Sequence, residues 1–109
     1  MLPSQHRINR GEDFRRILRS GVKSHSALGT VALAHTSGSF RVGVIVSKAV
    51  GNAVVRNRVK RMVRAAAKER TDALGGWDMV VRCSESAKDL GFSEILSFID
   101  DALRKVSTS

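Results

Sequence analysis

Cysteine and proline each occur once in the 109 residues, as Cys83 and Pro3; tyrosine is absent and aromatic side chains make up 5%. A single cysteine excludes an intramolecular disulfide and a zinc site built on cysteines. The three histidines, His6, His25 and His35, lie in the first third without metal-ligand spacing, so no protein-held metal is expected. No apolar run approaches the ~18 residues of a membrane span. The opening MLPSQHRINR lacks the apolar stretch of a secretory signal. These absences predict a cytoplasmic chain with no membrane partner. The shortage of aromatics leaves any base-stacking platform sparse.

Carboxylates are scarce as well, and unevenly so. Lys and Arg number 19 against 10 Asp and Glu, a net charge of +9 and a pI near 11.1. Residues 1–70 hold 15 basic and 3 acidic side chains, net +12, whereas residues 71–109 hold 4 and 7, net −3. An apolar content of 42% is ordinary for one folded domain, so a lopsided field rather than disorder is the feature to explain. Such a field is built to meet a polyanion, with nucleic acid the first candidate. No pair of carboxylates stands in a motif for two-metal hydrolysis or acid–base work, and no nucleophile elbow occurs. The chain therefore offers no catalytic residues of its own.

The hydrophobic pattern predicts one α+β domain spanning 1–109. A short amphipathic helix is expected over 9–19, with Asn9 and Glu12 as a capping box, Gly21 as its stop, and Phe14, Ile17 and Leu18 on one face. Strands follow: a weak one near 22–25, LGTVALA (28–34), and FRVGVIVS (40–47), whose two apolar faces read as a central strand. Trp77 to Cys83 reads as another strand, and 93–106 as a final helix with Leu96, Ile99, Leu103 and Phe92 inward.

Between them lies KAVGNAVVRNRVKRMVRAAAKER (48–70). Gly51 breaks the strand and Asn52 caps a helix. Val55, Val59, Met62, Val63 and Ala66 form one apolar arc; Arg56, Asn57, Lys60, Arg61, Arg64 and Lys68 fill the opposite one, with Arg58 at its border. Counting Arg58 and Arg70, seven cations face one acid, Glu69. Like charges this dense destabilise a helix unless phosphates offset them. Arg56 and Arg58 add bidentate phosphate donors, and Asn57 can read a base edge or a 2′-hydroxyl. The Gly51-Asn52 turn admits a phosphate at the helix N-terminus, although a capped turn explains it equally.

The stretch RVGVIVSKAVGNAVVRNRVKRMVRAA (41–66), with a strand, Ser-Lys, Gly-Asn-Ala and Arg-Asn-Arg in order, resembles the protein subunit of bacterial ribonuclease P. The Asp13-Phe14 helix and the closing strand and helix extend the likeness over essentially the whole chain. The resemblance implies an α-β-β-β-α-β-α fold around a four-stranded sheet with a left-handed β-α-β crossover. It implies two partners, a catalytic ribonuclease P RNA bound one protein to one RNA, and a precursor tRNA that loses its 5′ leader. Hydrolysis would belong to the RNA, with Mg²⁺ held by RNA and substrate rather than by protein. Asn52, Arg56, Asn57, Arg58, Lys60, Arg61 and Arg64 would face the RNA subunit. A cleft between sheet and first helix would hold the leader, lined by Phe14, Arg15, Leu18, Arg41, Ser47 and Lys48.

Three departures shift weight onto charge: Ala49 replaces a lysine common after Ser-Lys, Leu18 an often aromatic residue, and 28–34 offers no aromatic. Leader binding then rests more on Arg15, Arg16, Arg19, Arg41 and Lys48. The rival readings are a general or ribosomal RNA-binding protein, and a stand-alone nuclease, which the missing carboxylate cluster disfavours. A helix-turn-helix DNA binder fits poorly, because the basic helix follows a strand.

Overall fold

The computed structural model describes residues 2–107. Helix α1 (Gly11–Ser20) starts one residue later than the Asn9 capping box would place it. Upstream, the chain is still extended: Arg7 bridges Val42, and the Ile8 amide donates to the Val42 carbonyl at 2.9 Å. Arg10 stands at the cap without a side-chain bond, and Glu12 pairs with its guanidinium at 3.4 Å. Gly21 does end the helix, but with φ −74° rather than a left-handed cap. A Cβ there would sit 2.6 Å from the Ile17 carbonyl oxygen and 2.9 Å from that of Leu33. Close backbone approach is what requires glycine.

Four strands form one sheet: β1 (Val22–Ser26), β2 (Gly29–His35), β3 (Arg41–Ile45) and β4 (Trp77–Cys83), in the order β1-β2-β4-β3. The β1/β2 and β2/β4 pairs are antiparallel, and β3/β4 is parallel. Strand β3 is therefore an edge strand, and β4 is central. The two apolar faces of β3 have another cause: α2 packs on one side of it, Phe14 and Ile8 meet Gly43 on the other, and the Arg7–Ile8 segment caps its open edge.

Helix α2 (Ala53–Glu69) joins β3 to β4 as the parallel crossover, followed by one further turn, α3 (Thr71–Leu74), before Gly76 at φ +84°. Helix α4 (Phe92–Ser107) closes the fold. Alternation sorts the strands onto two faces. Val31, Leu33, Val42, Val44, Met79 and Val81 join the main core with α2 and α4. Ala32 and Val80 form a smaller core with Ile8 and Ile17, bordered by Phe14, Leu18 and Ile45. In α4 Ile95, Ile99, Ala102 and Leu103 are buried, and Leu96, half-buried, packs against the same core as expected. Phe92 opens the helix and stays 37% exposed, so Ile95 takes the anchoring role expected of it.

Candidate nucleic-acid interface

Two surfaces carry the cations. The first is α2. Gly51 enters it at φ +157°, where a Cβ would meet the Val55 side chain at 2.9 Å. Asn52 is the cap, its Oδ1 accepting the Val55 amide at 3.0 Å. Val59, Val63, Ala66 and Ala67 are buried, which turns Asn57, Arg58, Arg61 and Lys68 to solvent and leaves Arg56, Lys60 and Arg64 half-buried.

The seven cations are not equivalent. Arg70 is the C-cap and grips Asp100 of α4 in a fork, 2.7 and 3.1 Å, so it leaves the set. Arg58 donates to the Lys88 carbonyl at 2.7 Å, tying α2 to the 3-10 turn Glu85–Asp89. Among the described residues, Arg56, Lys60, Arg61, Arg64 and Lys68 have no ion pair. The Nε atoms of Arg56 and Arg64 are buried without a hydrogen-bond partner. Burial lowers the Arg64 pKa, and the nearby Arg7 guanidinium lowers it further. Arg7 belongs to an N-terminal segment seated by Leu2, which is buried, and by His6, which stacks on Phe40. Leu2 and Arg7 face Arg61, Arg64, Ala65 and Lys68 across a groove of about 610 Å³. Arg7 is thus a basic residue of this surface that helical periodicity could not reveal, since it lies outside the helix.

The second surface is the sheet face that α1 crosses. Phe14 lies directly on Gly43: a Cβ on Gly43 would come within 2.4 Å of its ring. Leu18 is half-buried beside the same small core. Arg41 is the residue whose state differs most from a free contact. It forks onto Asp78, with Nε 3.1 Å from Oδ1 and Nη2 2.8 Å from Oδ2, and its Nη1 reaches Asp13 at 3.4 Å. Those bonds raise its pKa, Asp78 foremost. Arg16 is drawn in too, 3.5 Å from both carboxylates. Arg15, Arg19, Ser47 and Lys48 are exposed.

Next to the Gly43–Val80–Ala32 row, register aligns Ile45, Arg82, Thr30 and His25 in one row across all four strands. Arg82 is exposed and Thr30 buried, and the His25 Nδ1 is hydrogen-bonded to Thr30 Oγ1 at 3.1 Å. The sequence holds a faint signal of this row. Asp78, Val80 and Arg82 alternate onto one face of WDMVVRC, and of its two charged residues only Asp78 has an oppositely charged partner among the described residues.

Among the described residues no group of three His, Cys, Asp or Glu is placed to hold a metal ion. Asp13 and Asp78, the two carboxylates that share Arg41, are engaged by arginines. Cys83 is buried, and burial pushes its thiol up to about 11, leaving it a poor nucleophile. No helix among the described residues is long and apolar enough to cross a membrane.

The family model described as Ribonuclease P matches residues 2–107. The ribonuclease P protein component of Beutenbergia cavernae is 41% identical over 106 residues, covering 94% of this chain and 89% of its own. That of Bacillus velezensis is 34% identical over 109 residues, covering 97% and 93%. The RNase P protein of Staphylococcus aureus superposes with a TM-score of 0.81 at 30% identity, covering 93% of this chain and 94% of its own. The Thermotoga maritima RNase P protein, 22% identical, shares the fold with a TM-score of 0.77 over 91% of this chain and 96% of its own.

Proposed function

The chain belongs to the ribonuclease P protein family, a subunit of a tRNA-processing ribonucleoprotein endonuclease, and from that membership we propose how its two cationic surfaces divide the work. Helix α2 binds the catalytic RNA, one protein to one RNA. The cleft between α1 and the sheet holds the 5′ leader of precursor tRNA. Hydrolysis belongs to the RNA subunit; Mg²⁺, which that RNA and the substrate rather than this chain would hold, would supply the metal-ion chemistry, and the protein's residues bind, orient and neutralise.

One observation carries this reading. The fold has carboxylates to spare for Arg16, Arg41 and Arg70, yet leaves Arg56, Lys60, Arg61, Arg64 and Lys68 without one, all on a single helix. Cations concentrated and unpaired in this way have an external polyanion as their partner. A ribozyme must bring two polyanions together, and a small cationic protein lowers that repulsion while fixing the substrate's register. Neutralising three or four leader phosphates corresponds to a salt slope of about −2 to −3. The protein's contribution is then greatest at low Mg²⁺, where metal ions do not supply the same screening.

Reconstitution tests this. Purified protein, a bacterial ribonuclease P RNA and a leader-bearing precursor tRNA at low Mg²⁺ should cleave only together, and Arg56→Ala/Arg58→Ala should slow cleavage by about tenfold or more. Equal cleavage by the RNA alone would remove the assigned role. Cleavage by the protein alone would assign the hydrolysis to the chain. Binding to many RNAs without stimulation would make it a general RNA binder.

A further inference from the structure

Strand β4 runs through the centre of the sheet, and its residues are buried or half-buried with one exception, Arg82. The exception has a geometric cause. On the α1 face, residues of the four strands stack in rows. The Gly43–Val80–Ala32 row lies under α1, with Phe14 on Gly43 and Ile17 buried against Val80 and Ala32. The next row, Ile45–Arg82–Thr30–His25, spans about 14 Å across the strands; in it Arg82 and His25 are exposed, Ile45 is half-buried against the small core and Thr30 is buried.

A lone guanidinium in the middle of a sheet face is an uncommon choice for a fold, and here nothing in the fold uses it. The Arg82 side chain has no hydrogen bond or ion pair among the described residues. The acid on its own strand and face, Asp78, lies four residues away, ~13 Å along β4, and is already held by Arg41. The two arginines of this face thus have opposite states: Arg41 is neutralised and pinned, Arg82 is free and faces outward. Its neighbours complete a surface of mixed chemistry, with Ile45 apolar on one side and the Thr30–His25 pair polar on the other. Ser47 and Lys48 are exposed just past the end of β3, beyond Ile45.

We propose that Arg82 is a leader-contacting residue of the cleft, gripping a phosphate of the single-stranded RNA that crosses the His25–Thr30–Arg82–Ile45 row. A planar fork suits a phosphodiester bidentately, and its flat face can carry a base on a row that holds no Phe, Tyr or Trp. Arg41 instead acts as a positioning residue, fastening α1 over the sheet through Asp13 and Asp78. The proposal rests on the leader-cleft reading, and its test separates the two.

The reconstituted holoenzyme is given two precursor tRNAs, one with a long leader and one with a leader of a single nucleotide. Arg82→Ala should weaken binding of the long-leader substrate by about tenfold, leave the short-leader substrate unchanged, and reduce the salt slope by about 0.7. Arg82→Lys should restore the salt slope but not the full affinity. Lys48→Ala, at the cleft edge, reports on the cleft itself, and thermal melting verifies that each variant folds. A leader-dependent loss for Lys48→Ala with none for Arg82→Ala overturns the Arg82 assignment and keeps the cleft. No leader dependence in either overturns both. Equal losses on the two substrates place Arg82 against the RNA subunit or the tRNA body and overturn the proposal.

Discussion

At the scale of single residues, the cleft owes its shape to an absent side chain. Gly43 is glycine because the Phe14 ring occupies the space of its Cβ, 2.4 Å away. Gly43→Ala should push Phe14 and α1 off the sheet and destabilise the fold by about 1–3 kcal/mol, measured as a lowered urea midpoint; an unchanged midpoint would mean that α1 re-seats freely. Nothing in RVGVIVS announces this, since a glycine in a strand reads equally as a bulge, a bend or a close contact. The pinning of Arg41 was hidden for a related reason. Asp13, Arg41 and Asp78 lie far apart in the chain and meet only through the register Arg41↔Asp78 and the crossing of α1. By contrast, Asn52 as a cap was legible, because a cap and the amide it binds lie three residues apart.

Among elements, α2 was the most legible, its apolar and cationic arcs being a property of one segment with one period. The periodicity could not sort the cations, because their partners lie on other elements. That sorting predicts a contrast. Arg70→Ala removes the fork to Asp100 and should lower stability with little effect on RNA affinity. Arg61→Ala, exposed and unpaired, should leave stability unchanged and cut RNA affinity, with the salt slope reduced by about 0.7–0.9. Thermal melts and salt-dependent binding of the two variants check this, and an exchange of the two phenotypes would refute the division. The misplacement of β3 at the sheet centre has a comparable origin. Two apolar faces record what covers a strand, not what pairs with its edges, and here Arg7 and Ile8 supply the edge cover.

For the molecule as a whole, the +12 of residues 1–70 is held against a −3 remainder. The acids of that remainder neutralise particular arginines, Asp78 with Arg41 and Asp100 with Arg70, so the field left over belongs to α2, the N-terminal segment and the open sheet row. Self-repulsion in that field opposes folding, and an anion that binds only the folded state relieves it. Sulfate or phosphate should therefore raise Tm beyond what chloride does at equal ionic strength; a gain of about 1 kcal/mol corresponds to about 4–8 °C. Equal melting in all three salts would show that the field costs the fold nothing. The sheet order β1-β2-β4-β3 adds a constraint of timing. On a ribosome, β1 and β2 can zip as a hairpin at once, but β3 has no strand to pair with until Trp77–Cys83 emerges, after the entire cationic helix. The most cationic segment of the chain is thus complete before the strand that seats it exists. Closure of the sheet, and with it the seating of the cationic helix, waits on the last-made strand.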